Sequence, residues 1–208
     1  GRELPPMGPV KASAKLDSQG ASYALTDLDM GIDDQGLKAR VTGSIQDLLA
    51  LSGLDLDLDA QFQSLSTYAD LVGQPLPETK PLTISAKAVA DAGAQGPAQI
   101  TAQLSGDWLN GKLDATIADL HNAQGIAGMV SMELGSLADL SSAAGRDLPA
   151  MGPIKASAEL APNGEVLTVQ KLAIDVEDET LRASVQGSID DLLALTGIKL
   201  DLNGSVDS

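Results

Sequence analysis

The stretch of this sequence closest to a catalytic signature is Gly106–Leu113, which has the G-x-x-x-x-G-K spacing of a phosphate-binding loop. In such a loop backbone N–H groups cradle the phosphates, and a Ser or Thr after the lysine holds Mg²⁺. Here Lys112 is followed by Leu113, and the loop leads into a segment of strand-like alternation instead of a helix. The sequence therefore argues against a nucleotide site.

Closely spaced carboxylates are a second feature that could carry chemistry, because Asp oxygens bind calcium. Asp55, Asp57 and Asp59 alternate with apolar residues, and Ala60 stands where an EF-hand loop would need glycine. We interpret them as the solvated side of a strand. The single histidine, His121, has no cysteine to complete a zinc site, since the chain has none. We expect no catalytic residue, no metal site and no cofactor, and hence no enzyme.

Composition narrows the possible partners. The formal net charge is -16, whereas nucleic acid requires a basic surface. The acidic surface also offers anionic membranes no electrostatic attraction. No apolar run approaches the roughly 18 residues of a membrane-spanning helix. The chain opens with Gly1-Arg2-Glu3 and no signal peptide, so we expect an internal piece of a longer protein.

The hydrophobic pattern of the chain has a period of two. From Leu37 to Ile45, and again from Leu54 to Phe62, apolar residues alternate with polar ones. Successive side chains of a strand point to opposite faces, whereas a helix would scatter these apolar residues around its circumference. The two segments are therefore predicted to be strands with one apolar and one polar face.

The sequence repeats itself. The segment 4–14, Leu-Pro-Pro-Met-Gly-Pro-Val-Lys-Ala-Ser-Ala, recurs almost unchanged at 148–158, an offset of 144. A more diverged copy begins at Leu76, an offset of 72. The repeat therefore predicts a single elongated domain over 1–208. It is built of three 72-residue units: 4–75, 76–147 and an incomplete 148–208.

Each unit contains four alternating segments, so the fold class we expect is mostly β, with about twelve strands in an antiparallel meander. The connector Asp47–Gly53 is predicted to be one helical turn that ends at the glycine. Segments 64–73 and 136–145 have apolar residues at helical spacing and are predicted to be short helices linking the units. Trp108 is placed on the outward side of its strand, covering an edge.

The apolar positions of the three units form one set. Nineteen positions per unit carry three polar residues in total, Thr26, Thr168 and Gln170, and no charged one. We therefore predict one continuous apolar face along the whole sheet. Its larger members are Leu16, Leu28, Met30, Ile32, Leu37, Val41, Ile45, Leu54, Leu56, Leu58, Phe62, Ile84, Ile100, Leu104, Leu113, Ile117, Val130, Met132, Leu172, Ile174, Val185, Ile189, Leu200 and Leu202.

An apolar face of this length must be covered by something. The short helices are too few to cover four strands per unit, which leaves a sheet packed on itself or a groove that holds an apolar ligand. Self-packing normally relies on large side chains, yet the face is rich in Ala and Gly and has Phe62 as its one aromatic. From composition alone the two alternatives are equally supported.

The order of short motifs resembles a known family. Gly-Ser-Leu-Ala-Asp-Leu at 135–140, Gly-Arg-Asp-Leu-Pro at 145–149 and Gly-Pro-Ile-Lys-Ala-Ser-Ala at 152–158 are joined to hairpin strands such as Val-Thr-Gly-Ser-Ile at 41–45. This pattern, present in all three copies, is similar to the AsmA-like proteins of Gram-negative bacteria, relatives of the bridge-like lipid-transfer proteins.

The resemblance implies a periplasmic protein, anchored in the inner membrane, whose twisted sheet curls into a groove. The residues of the apolar face would then contact phospholipid acyl chains that travel between inner and outer membrane, a part of outer-membrane biogenesis. The anchor and the regions that meet each membrane are expected outside this sequence. The rival hypothesis is a structural repeat or spacer domain of an envelope or surface protein, with a self-packed core.

Overall fold

The computed structural model is one antiparallel sheet of twelve strands, arranged in the order in which they occur along the chain. It describes residues 8–20, 22–34, 36–64, 66, 78–92, 96–164, 166–178 and 181–206. The prediction of a mostly β fold, an antiparallel meander of about twelve strands, is confirmed, and the described sheet does not close on itself. The strands are β1 Val10–Gln19, β2 Ser22–Asp33, β3 Leu37–Asp47, β4 Ser52–Phe62, β5 Leu82–Ala90, β6 Ala98–Ser105, β7 Leu109–Asp119, β8 Gln124–Leu134, β9 Ile154–Asn163, β10 Val166–Glu177, β11 Leu181–Asp191 and β12 Thr196–Val206.

The strand boundaries follow the spacing of the sequence repeat. The third strand of each unit begins at Leu37, Leu109 and Leu181, which are 72 residues apart. Each is eleven residues long and ends at an aspartate. Because every strand pairs with its neighbours in sequence, the four-stranded units join edge to edge in one sheet.

The connector between the third and fourth strands of a unit is a tight hairpin loop, so the predicted helical turn is wrong. The carboxylate of Asp47 accepts hydrogen bonds from the N–H groups of Leu49 and Ala50, at 2.9 and 3.1 Å. Leu51 and Gly53 then adopt positive φ angles, 50° and 61°, and turn the chain back. Strand β4 starts at Ser52, so Gly53 lies inside it. Asp119 and Asp191 hold their loops in the same way.

The linking helix predicted at 136–145 is present as a 3-10 turn, Leu137–Leu140, followed by the helix α1, Ser141–Ala144. Ser136 caps its start, since its hydroxyl accepts the N–H of Ala138. Gly145 ends it with a left-handed φ of 63°. Of the equivalent segment 64–73, all but residues 64 and 66 lie outside the described residues.

Strand register places one row of apolar residues across the entire sheet. Starting from Ala12, each residue of this central row lies opposite the next one on the neighbouring strand. We call the face that carries this row the apolar face, and the opposite one the polar face. The central row is Ala12, Met30, Val41, Leu58, Ala86, Ala102, Leu113, Val130, Ala158, Leu172, Gly187 and Leu200.

A β-bulge places some residues on the opposite face of the sheet from the one predicted. In β2 the register shifts between Leu25 and Leu28, and Asp27, at φ 52°, is the extra residue. Since side chains alternate, one extra residue moves everything before it to the other face. Thr26 therefore lies opposite Lys15 on the polar face. The same kind of shift occurs in β10, where Gln170 is the extra residue between Val169 and Lys171 and Thr168 lies on the polar face opposite Ala161.

At one cross-strand pair of every unit the two backbones come so close that one partner has to be glycine. A Cβ built on Gly43 would overlap the carbonyl oxygen of Asp55 on the neighbouring strand. Gly43 lies opposite Leu56, and Gly187 in the third unit lies opposite Leu200. The second unit has the reverse arrangement: Ala115 on the third strand faces Gly128 on the fourth.

We expect Gly43→Ala to lower the free energy of unfolding by about 2–4 kcal/mol, because the added methyl collides with backbone at a positive φ. The matched control is Gly111→Ala, on the same face, whose Cβ would meet its nearest neighbours at 3.5 Å. The control should leave stability unchanged or raise it by up to about 1 kcal/mol. Urea denaturation followed by circular dichroism measures both, and equal losses would contradict the close approach.

Candidate functional site

The candidate site is the apolar face. All of the larger apolar residues that the sequence predicted for this face lie on it. Leu16, Met30 and Ile32 lie on it in the first hairpin, and Leu200 and Leu202 lie on it in the last strand. The pairing of the intervening strands places the remaining residues of the predicted set on the same face. Twelve strands thus merge their apolar sides into one surface on which no residue of the central row is charged.

Sequence reasoning missed four members of this face. Tyr23 and Leu25 in β2, and Leu167 and Val169 in β10, lie before the bulges and therefore point to the apolar side. Val169 is 3 % exposed, among the most buried apolar residues described. The signal was in the sequence, because the three polar exceptions to the predicted face all occurred in these two strands.

Burial differs between the ends and the middle of the strands. At one end Leu54, Ala90 and Ala98 pack together, with Leu120 of the hairpin loop against them. At the other end Leu82, Trp108 and Leu134 form a second cluster, which also contacts Leu140 of the linking helix. Between these two clusters the central-row residues of β3 to β11 are half-buried. The face is therefore packed at its margins and accessible along its middle.

Trp108 lies inside the second cluster, so its predicted position on the outward side is wrong. It precedes β7 and is 6 % exposed, in contact with Leu82 and Leu134. The reason is the chain reversal before β7, which turns the indole toward the apolar side. Its Nε1 is the one buried side-chain polar atom that has no hydrogen-bond partner among the described residues.

No second layer covers the apolar face within the described part of the chain. Extensive contacts between strands are limited to neighbours in sequence, and the short linking helix reaches only the marginal cluster. Exposure is greatest at the two edges of the sheet. There Leu16 is 62 % exposed and Leu202 is 73 % exposed.

The polar face is held by exposed ion pairs between strands. Lys87 of β5 lies 2.8 Å from Asp55 and 3.3 Å from Asp57 on β4, and these hydrogen bonds raise the pKa of the lysine. Arg40 binds Asp29 through two hydrogen bonds, which lower the pKa of that carboxyl. Exposed pairs of this kind are solvated and screened by salt, so each contributes little to stability. They fix register and solubility more than stability.

No family model, curated protein or solved structure matches this chain. The AsmA-like resemblance therefore remains a prediction from the sequence. No described helix is long and apolar enough to cross a membrane.

The residues considered for chemistry are dispersed over the surface. Lys112 is exposed on the polar face of β7, which begins inside the glycine-rich segment at Leu109. His121 is exposed in a hairpin loop, where its backbone N–H donates to Asp119. Within the described ranges no three His, Cys, Asp or Glu side chains converge as a metal-binding group.

Open depressions also occur on the polar face. One of these has a volume of about 780 Å³ and lies between long charged side chains, including Lys11, Arg40 and Asp59. A second, of about 390 Å³, lies between Lys87 and Lys112. Ion-paired side chains with spaces between them account for both, so the apolar face remains the candidate site.

The buried indole gives a prediction for the marginal cluster. Trp108→Ala should lower the free energy of unfolding by about 3–5 kcal/mol, through the lost contacts and the cavity. Trp108→Phe should change it by no more than about 1 kcal/mol, because it also removes a buried N–H that lacks an acceptor. Urea denaturation followed by circular dichroism compares them. Equal losses would show that the indole N–H itself is stabilising.

Proposed function

We propose that this chain is a noncatalytic segment of a periplasmic bridge-like phospholipid-transport protein. Acyl chains slide along its apolar groove between the inner and the outer membrane. One observation carries the proposal: an uncharged apolar row runs without interruption through all twelve strands, and no described layer covers it. The AsmA-like order of motifs supports the same function from the sequence.

The energetics of lipid transfer favour such a surface. Exposing an acyl chain to water costs about 0.8 kcal/mol per CH₂, so a sixteen-carbon chain costs about 13 kcal/mol. A half-buried apolar face removes much of this cost, since methylene groups leave one apolar environment for another. The zwitterionic or anionic headgroup stays in water on the open side and needs no partner in the groove.

The uniformity of the face favours movement over tight capture. The central row mixes small residues, such as Ala86 and Ala102, with medium ones, such as Leu58 and Leu113. A smooth wall without a deep pocket or charge gives an acyl chain similar energy at each position. Eleven strand spacings of about 4.8 Å give a row of about 53 Å before twist and curvature. That length exceeds the roughly 15 Å spanned by one leaflet's acyl chains.

The alternative is a structural spacer whose apolar face is self-packed. Its support is the regular repeat with two well-packed marginal clusters, which would suit a stalk. It requires something to cover the central row, and the described strands have extensive contacts with their sequence neighbours alone. The two functions differ in whether the row is occupied by lipid.

Phospholipid should co-purify with the protein when detergent is omitted, and organic extraction with mass spectrometry should detect it. Ala102→Asp places a carboxylate in the central row, where it cannot be solvated beside an acyl chain. We expect this variant to retain about tenfold less phospholipid than the original protein.

The matched control for that experiment is Thr101→Asp. It lies next to Ala102 on the same strand, changes the net charge equally and faces the opposite side of the sheet. It should retain the phospholipid of the unaltered protein. An absence of co-purified lipid, or equal loss in both variants, would support the spacer instead.

Photo-crosslinking amino acids give an independent measure of which face meets lipid. Probes at Val41, Leu58 and Leu113 lie in the central row, while probes at the neighbouring Thr42, Asp57 and Asp114 lie on the polar face. We expect crosslinks to phospholipid at least tenfold more often in the first set. Equal capture by the two sets would rule out the groove.

A further inference from the structure

Two methionines lie on the apolar face, and they are the side chains there that an oxidant attacks most readily. Met30 belongs to the central row. Met132 lies on β8, between Gly111 and Ala156 of the neighbouring strands. Because the chain contains no cysteine, the thioether sulfur of methionine is the group that a peroxide oxidises first.

Met132 is the more informative of the two because it lies inside the sheet. Strands β1 to β7 precede β8 and β9 to β12 follow it, so paired strands flank this residue on both sides. Met132 is 43 % exposed, more than any other large apolar residue that β3 to β11 contribute to the apolar face. Its cross-strand partners explain this exposure, because Gly111 and Ala156 are too small to cover it. The side chain is therefore within reach of small solutes that enter the groove.

The same strand carries another methionine on the opposite face of the sheet. Met129 lies between Asp114 and Glu159 of the neighbouring strands and is 59 % exposed. Its thioether stands in water among carboxylates, whether or not the groove holds an apolar ligand. The two residues of β8 therefore separate reactivity, which both share, from a position on the apolar face, which Met132 alone of the two has.

We propose that Met132, together with Met30, is an oxidation site through which a peroxide switches off the binding of acyl chains. The inference rests on the proposed function, because it concerns the same face and the same lipid. A lone pair of the sulfur attacks one oxygen of the peroxide, and the O–O bond breaks as the S–O bond forms. The thioether is oxidised by two electrons to a sulfoxide, and hydrogen peroxide is reduced to water.

Oxidation changes what Met132 offers to an acyl chain. The sulfoxide oxygen is a polar acceptor, whereas the thioether is apolar. Beside an acyl chain this oxygen loses its water, and the flanking Gly111 and Ala156 have no side-chain donor to replace it. Because desolvating a polar group without a hydrogen bond is unfavourable, the oxidised face favours water over lipid at this point. A sulfoxide at Met129 stays hydrated and has no such effect.

Occupancy of the groove and oxidation of the face compete with each other. An acyl chain that lies on the face covers the sulfur, so the empty groove is the form that reacts with peroxide. The sulfoxide then opposes reloading with lipid. Because methionine sulfoxide is reduced back to the thioether by sulfoxide reductases, the change is reversible. The groove therefore loses lipid binding while peroxide is present and regains it after reduction.

Capture of labelled phospholipid before and after oxidation tests the proposal. The protein is treated with hydrogen peroxide until peptide mass spectrometry shows Met30, Met129 and Met132 as sulfoxides. It is then incubated with vesicles of phosphatidylethanolamine and phosphatidylglycerol that contain a headgroup-labelled phosphatidylethanolamine, and is separated from them by flotation. We expect the oxidised protein to capture about fivefold less label than the untreated one. Reduction by two methionine sulfoxide reductases, one for each epimer, should restore capture.

Leucine variants assign the loss of capture to one face. The double variant Met30→Leu with Met132→Leu leaves Met129 to be oxidised, whereas Met129→Leu leaves both methionines of the apolar face. Each variant is its own reference, since the quantity measured is capture after oxidation divided by capture before it. This ratio should rise to about one in the double variant and stay near about one fifth in Met129→Leu. Equal ratios in the two variants would overturn the proposal.

A pair of variants that needs no oxidant supplies the second measurement. Met132→Gln places a polar amide on the apolar face, and Met129→Gln places the same group on the polar face. With circular dichroism showing both to be folded, we expect the first to capture about fivefold less label than the second. Equal capture by the two would overturn the proposed role of Met132.

The untreated original protein distinguishes the two ways in which the proposal can fail. If it captures no label, the proposed function is wrong and the oxidation switch falls with it. If it captures label equally before and after full oxidation, the switch alone is wrong.

Discussion

The constraint on which this structure depends is the two-residue alternation held in register through twelve consecutive strands. Each strand pairs with the strands next to it in sequence. A register shift of one residue in one hairpin would therefore place the side chains of the following strand on the wrong face. The hairpin loops prevent such an error locally. Asp47, Asp119 and Asp191 fix their loops with the same pair of backbone hydrogen bonds. Register is therefore set three times by the same device.

A sheet of this kind has the stability of a repeat protein more than that of a compact domain. Extensive contacts between the described strands are limited to sequence neighbours, so the free energy of folding is close to a sum of intrinsic and nearest-neighbour terms. The marginal clusters around Leu54 and Leu82 supply buried apolar contacts at both ends of the strands. The buried contacts are thus concentrated at these margins, while the middle of the face stays accessible.

Much of the fold could be predicted from the sequence, because period two and the 72-residue repeat are local signals that survive divergence. The strand positions and the helix near Leu137 followed from them. The bulge at Asp27 was missed because one residue added to a strand leaves the repeat unchanged while it exchanges the faces. Trp108 was misplaced because a chain reversal, unlike a strand, has no period from which direction can be read.

The close approach at Gly43, Ala115 and Gly187 has a consequence for how such a sequence can diverge. Each of these close pairs requires a glycine on one of its two strands. Either strand can supply it, as Gly43 opposite Leu56 and Gly128 opposite Ala115 show. A lineage that exchanges one arrangement for the other has to shrink the larger residue first, because enlarging the glycine first produces a collision. The intermediate with glycine on both strands contains only a gap. Sterics therefore determine the order of the two mutations, and the residues at these positions should change as a pair.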